Sequence, residues 1–447
     1  MTNKQYTVCG NLCLRRNSAY AAQDLQIAVA KYSAQTISPV RLVRKPKKKK
    51  TRRMVFMLFF VLIVSYFIFI GQGDPTIVHA TGNDIMGQIN QNVNENLNNI
   101  DFGDIDREVD NIRDGFNLFG EDSFRVRVGR ILSGEFQDDH PNMLSALFGL
   151  FGGVIFRVLP IVMLIVAIAI LSGLLQSFKP ESGGDGVKSI INFVSYAAVV
   201  TIVMVGITDL VIMVGETLAS MKRQMDIIFP ILLTLMVAVG GTSSAGVYQP
   251  AIALLSNGVM QIFSFVVMPL FIITLVFSVV GHISPHTRLD KFVSFFNSAY
   301  KWIVGIVFTV FIAFLTIQGI SAGAHDGVSI RAARFTISSY VPYLGGYLSQ
   351  GFDLVLASSI LIKNAVGVAG LYLLFGIVLG PIISIVVFSL GLKLAAAITQ
   401  PIADERISDF LTTINRSFSM LVSILVGAAF MYFLTIGLII ITGNNII

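Results

Sequence analysis

Ala365-Val-Gly-Val-Ala-Gly-Leu-Tyr-Leu-Leu-Phe-Gly-Ile-Val-Leu-Gly-Pro-Ile-Ile-Ser-Ile-Val-Val-Phe-Ser-Leu-Gly-Leu-Lys393 carries no charged side chain before its last residue. A helix of about 20 apolar residues crosses the hydrocarbon core of a bilayer, and a water-soluble core does not need a run of this length. Comparable stretches lie at 150–175, 189–214, 251–281, 299–321 and 416–441. The sequence as a whole is 54% hydrophobic and only 13% charged, against about 25% charged for soluble domains. These features predict an all-α, polytopic helical membrane protein with six full spans, and they exclude a water-soluble enzyme fold.

The formal net charge of +6 is local: residues 1–53 hold 13 Lys and Arg against one acid, Asp24. The cluster Arg44-Lys45-Pro46-Lys47-Lys48-Lys49-Lys50 directly precedes an apolar run at 54–71, so it reads as a cytoplasmic orientation signal and not as a nucleic-acid surface. After the run, Val78-His79-Ala80 has the small-residue layout of a signal-peptide cleavage site. Residues 1–80 therefore form a basic leader with a signal peptide or signal anchor, and either reading exports Thr81. The only two cysteines, Cys9 and Cys13, fall inside this leader without a neighbouring His or acidic cluster, so no zinc site is expected.

Residues 81–146 form a polar, acidic segment, with 13 Asp and Glu against five Arg between Thr81 and Ser145. Ile85, Ile89, Val93 and Leu97, then Ile105, Val109, Ile112, Phe116 and Phe119, recur at helical spacings of three and four. Amphipathic helices are predicted, which either cover the top of the membrane domain or dock another exported protein.

Residues 147–447 form the membrane domain and show a tandem repeat of about 110 residues. Leu159-Pro160, Met268-Pro269 and Gly380-Pro381 each open an apolar run that ends near Pro180, Pro285 or Pro401. An Asn and an aromatic follow each time: Asn192 with Tyr196, Asn297 with Tyr300, Asn415 with Phe418. Two weaker elements precede the second and third units, 227–239 ending at Gly240-Gly241, and 340–362 containing Pro342 and Gly345-Gly346. An apolar stretch of about 13 residues is short for a crossing, so these two are expected as broken or re-entrant segments. Small-residue pairs, Gly149 with Gly153, Gly319 with Gly323 and Gly376 with Gly380, suit close helix approach within one subunit or between subunits.

No metal-ligand motif, nucleophile elbow or dinucleotide fingerprint is present. The nearest approach to a phosphate loop, 183–189, has Val187 where a glycine must precede the lysine. No cofactor and no enzymatic activity are expected. Ionisable groups at membrane depth are then the candidates for function: Asp209, Arg157 and Lys363. Arg157 reads as an interfacial side chain whose stem lies along apolar surface. Lys363 either does the same or meets an ion or partner in the broken region.

Two stretches, Tyr340-Val-Pro-Tyr-Leu-Gly-Gly-Tyr-Leu-Ser349 and Asp353 through Lys363-Asn364-Ala-Val-Gly367-Val-Ala-Gly370-Leu, together with the Gly240-Gly241 turn, resemble the signature of the stage III sporulation protein AE family. The resemblance runs over roughly residues 80–445. It implies a polytopic membrane component of the channel or secretion-like complex between mother cell and forespore, needed for forespore development after engulfment. The implied location is the mother-cell-derived membrane around the forespore, with 81–146 in the intermembrane space. The implied partners are other membrane and exported subunits, the lipid bilayer and a separate cytoplasmic ATPase. Pro342, Gly345, Gly346, Asp353, Lys363, Asn364 and Gly367 are the positions that the resemblance marks. Repeats and broken helices also occur in secondary transporters for small solutes, and that class is the alternative.

Overall fold

At bilayer depth every main-chain N–H and C=O must find its partner within the protein, and a helix does this within one segment. The computed structural model describes residues 101–113, 123–133, 143–177, 185–283, 289–322, 345–402 and 405–442, with Val93, Leu97, Ile100 and a few positions between 331 and 339. The leader, with its signal peptide, Cys9 and Cys13, and also Pro342, lie outside the described residues. All described residues belong to one unit, Gly82–Ile447, and no strand occurs among them.

Two short amphipathic helices come first, α1 (Gly103–Arg113) and α2 (Phe124–Ser133). The membrane helices follow: α3 (Met143–Ser177), α4 (Asp185–Ala238) and α5 (Thr242–Ala253). The chain continues from α5 through π-helical turns at Leu254–Val259 and Phe263–Val267 into α6 (Met268–Ile283). Then come α7 (Asp290–Ala322), α8 (Gly345–Thr399) and α9 (Glu405–Ile441). Six of these are long and apolar enough to cross a membrane, with α5 to α6 counting as one. The six expected spans are all found.

The two elements expected as broken or re-entrant are not separate. Residues 227–238 are the last turns of α4, a single helix of 54 residues, and 345–362 are the first turns of α8, a single helix of 55 residues. Their apolar side chains looked too few for a crossing because they continue a crossing already made. Pro160 and Pro381, expected to open apolar runs, sit inside α3 and α8. Membrane helices tolerate proline because neighbouring groups re-satisfy the freed backbone.

The expected turn at Gly240-Gly241 is present in detail. Gly240 has φ 85°, its N–H donates to Val237 O at 2.8 Å, and the Gly241 N–H donates to Met236 O at 2.9 Å. This pair of bonds closes a helix C-terminus with a left-handed residue, a conformation glycine adopts without steric cost. It ends α4 and reverses the chain into α5.

Contacts between helices fix their relative levels. Ser408 Oγ bonds Ala396 O at the α8–α9 hairpin, and a Cβ on Gly173 would run into the Ile402 carbonyl, so α3 ends beside the same hairpin. Tyr300 Oη donates to Met420 O at 2.9 Å, and Gly319 faces Leu438, so α7 runs alongside α9 in the same direction. The α3–α4, α6–α7 and α8–α9 connections therefore share one end of the bundle. The Gly240-Gly241 turn and the start of α8 share the other, where α1 and α2 lie.

Close helix approach occurs at glycines outside the predicted pair Gly149 and Gly153. A Cβ on Gly206 would lie 2.6 Å from Phe388, one on Gly391 2.8 Å from Val162, and one on Gly427 2.9 Å from Phe308. Cβ atoms on Gly149 and Gly153 would meet nothing within 4 Å. The core is continuous from α3 to α9, with α8 and α9 the most enclosed of the spans.

Candidate functional site

Lys363 is fully buried. Its ammonium donates to Ile440 O at 3.2 Å and also to Thr442 O, both at the C-terminal end of α9. The last carbonyls of a helix have no partner within it, and the negative end of the helix dipole favours a cation there. Lys363 therefore closes the end of α9. It does not snorkel outward, and the helix around it is unbroken.

The sequence explains the geometry. Gly367 lies one turn along α8 from Lys363, and a Cβ there would sit 2.6 Å from Ile440 Cγ1, so only glycine lets α9 come this close. Thr442 adds a third helix: its hydroxyl donates back to Leu438 O at 2.8 Å and pairs with Tyr248 Oη of α5 at 2.8 Å. Further down, Gln224 Nε2 of α4 donates to Gly370 O at 2.8 Å, and Gly370 is packed against Ile228. Asp226 accepts from Ser256 Oγ and pairs with Lys222 Nζ at 3.1 Å. Four helices are thus tied together by polar bonds among apolar side chains. The Oδ1 of Asn364 is buried without a partner among the described residues.

The polar segment is attached to the same end of the bundle. Arg223 Nε of α4 donates to both carboxylate oxygens of Glu108 of α1, at 3.2 and 3.1 Å. Arg127 of α2, itself buried, places its guanidinium 5.0 Å from the centre of the Tyr372 ring of α8. Phe102 and Phe124 pack at 5.5 Å, and the Phe124 N–H donates to Asp106 Oδ1 at 2.7 Å, which joins α1 to α2. Of the two readings of the amphipathic helices, covering the membrane domain is the one these contacts display.

The remaining candidates are dispersed. Asp353 is paired with Arg334 at 2.6 Å. Gly345 and Gly346 open α8. Asp209 is exposed on α4, lining a groove of about 420 Å³ with Thr201, Val205 and Thr208. Arg157 is exposed on α3 among exposed apolar neighbours. Among the described residues no group of His, Cys, Asp or Glu is arranged to hold a metal ion. Sequence reading missed Gln224, Tyr248, Thr442 and the Glu108–Arg223 pair, since none lies in a motif and each acts only through a partner far along the chain.

The fold defines a helical membrane protein of six candidate spans with an attached polar segment. The chain belongs to the stage III sporulation protein AE family, which it matches over residues 123–443. It is 29% identical over 229 residues to the stage III sporulation protein AE of Bacillus subtilis (strain 168), an alignment covering 51% of this chain and 57% of that relative. No solved structure matches. The matched family is one of stage III sporulation proteins, and the six helices are long and apolar enough to cross a membrane.

Proposed function

We propose that the chain is a membrane component of the channel or secretion-like complex linking mother cell and forespore, needed for forespore development after engulfment. The observation that carries this reading is the length of α4 and α8. At 54 and 55 residues, each is about 80 Å long, against about 30 Å of hydrocarbon and about 45 Å of whole bilayer. The apolar stretch Phe151–Leu175 of α3 is level with Gly206 and Gly391. The parts of α4 beyond about residue 218 and of α8 before about residue 372 then project past the bilayer, carrying α1 and α2. A component that reaches out of its membrane on a rigid stalk is suited to meeting exported subunits between two membranes.

In this reading the projecting end lies in the intermembrane space, the hairpin end faces the mother-cell cytoplasm, and a separate cytoplasmic ATPase supplies energy. The hairpins α3–α4, α6–α7 and α8–α9 are read as three copies of one repeat, with Asn192, Asn297 and Asn415 at matching places. A solute carrier is the less favoured alternative, since the buried cation of the bundle, Lys363, is engaged in closing α9.

The test is a verified deletion. Cells lacking the protein are expected to complete engulfment and then stall in forespore development, and normal spores from the deletion strain would remove the proposal. Cross-linking from residues of α1 and α2 in sporulating cells should capture an exported protein. Capture of soluble cytoplasmic proteins would reverse the assigned orientation.

A further inference from the structure

At the hairpin end, α8 and α9 flank a groove of about 400 Å³ lined by Lys393, Ala396, Ala397, Gln400, Ser408, Thr412, Asn415 and Arg416. On α8 the lining residues are spaced by three and four, as are Ser408, Thr412 and Asn415 on α9, so each helix gives one face to the cleft. None of the lining residues is acidic. Lys393 and Arg416 are exposed, and among the described residues neither makes an ion pair. Ser408 and Asn415 are held in place, the first by Ala396 O and the second by Ser389 Oγ, which donates to Asn415 Oδ1 at 2.5 Å.

Immediately beside this polar face runs an apolar one. Leu390, Leu394 and Ile398 follow at four-residue spacing and are 54%, 53% and 36% exposed. A guanidinium and an ammonium next to hydroxyl and amide donors fit a phosphate oxyanion. The parallel apolar stripe fits an acyl chain. Basic pockets between membrane helices near one surface are places where anionic headgroups bind.

We propose that the cleft between α8 and α9 is a binding site for an anionic phospholipid, with Lys393 and Arg416 holding the headgroup phosphate and Leu390, Leu394 and Ile398 contacting a chain. A free phosphate has the same headgroup chemistry but leaves the apolar stripe bare, so the lipid is the occupant the surface favours. Binding there would pin the α8–α9 hairpin at one bilayer face.

The experiment uses the full chain in mild detergent, offered an equal mixture of phosphatidylglycerol and phosphatidylcholine, with retained lipid counted by native mass spectrometry. Phosphatidylglycerol should be retained about tenfold over phosphatidylcholine, falling to near parity in Lys393→Gln/Arg416→Gln. Arg157→Gln, which removes an exposed cation from α3, should leave the preference intact. If the double variant does not yield folded protein, each single substitution is measured, and each is expected to lose about threefold. Unchanged preference in the variants would overturn the site. Displacement of phosphatidylglycerol by millimolar inorganic phosphate at both wild-type and Leu394→Ser protein would overturn the lipid as occupant and leave a free-anion site.

Discussion

Arg223 of α4 holds Glu108 of α1 through Nε, at 3.1 and 3.2 Å from the two carboxylate oxygens, across 115 positions of sequence. Glu108 is almost enclosed while Arg223 is about half exposed. The pair therefore works as an anchor for the polar segment more than as a source of stability, because solvent screens the arginine.

Glu108→Arg or Arg223→Glu alone should loosen α1 from the bundle. The expected cost is on the order of 1 kcal/mol, with faster cleavage between α1 and α3 in limited proteolysis. The charge-swapped double variant should recover much of the protection. Protection equal to wild type in both single variants would show that Phe102 and Phe124 hold the segment without the ion pair.

Lys363→Met keeps the length of the side chain and removes the donor from the carbonyls of Ile440 and Thr442. Leaving buried acceptors unpaired costs about 1–3 kcal/mol, so a lower Tm and reduced membrane abundance are expected, with any loss of sporulation following abundance. Full stability combined with lost function would instead mark Lys363 as a residue that contacts a ligand or partner.

Gly367→Ala places a methyl 2.6 Å from Ile440 Cγ1 and should push α9 away from α8, at about 1–3 kcal/mol. Adding Ile440→Ala removes the clashing Cγ1 and should restore part of the loss. Gly149→Ala, whose Cβ meets nothing within 4 Å, is the control and should be silent in a thermal melt.

Because Cys9 and Cys13 are the only cysteines, single thiols report side without background once those two are replaced. Thiols at Ser177 and Leu289 should react from one face of the membrane, and a thiol at Ala322 from the other, since α3 and α6 both end at the hairpin end of the bundle and α7 runs away from it. Labelling of Ser177 and Leu289 from opposite faces would require an even number of crossings to be replaced by an odd one between them, and the paired-hairpin arrangement would fall.

The spans were legible because apolar runs of sufficient length have few other uses, and the Gly240-Gly241 turn was legible because a positive φ selects glycine. The length of α4 and α8 was not. Side chains buried among other helices and side chains facing lipid are equally apolar, so hydropathy cannot mark that 190–214 continues unbroken into 215–238, in contact with α1, α5 and α8. Proline misled in the same way: Pro160 and Pro381 read as the openings of apolar runs because in water proline usually bounds a helix, yet both lie inside one. The clamp at Lys363 was half visible, as a buried charge, while its partners were not, since main-chain carbonyls of Ile440 and Thr442 leave no trace in residue type.

One helix, α8, touches Arg127 of the polar segment through Tyr372 and, about five turns along, takes Val162 of α3 against Gly391. Between these two points lies Pro381, which has no N–H to give to the turn before it. A load placed on α1 and α2 by another molecule would thus travel down a single covalent shaft with one compliant joint, arriving as tilt at the α8–α9 hairpin.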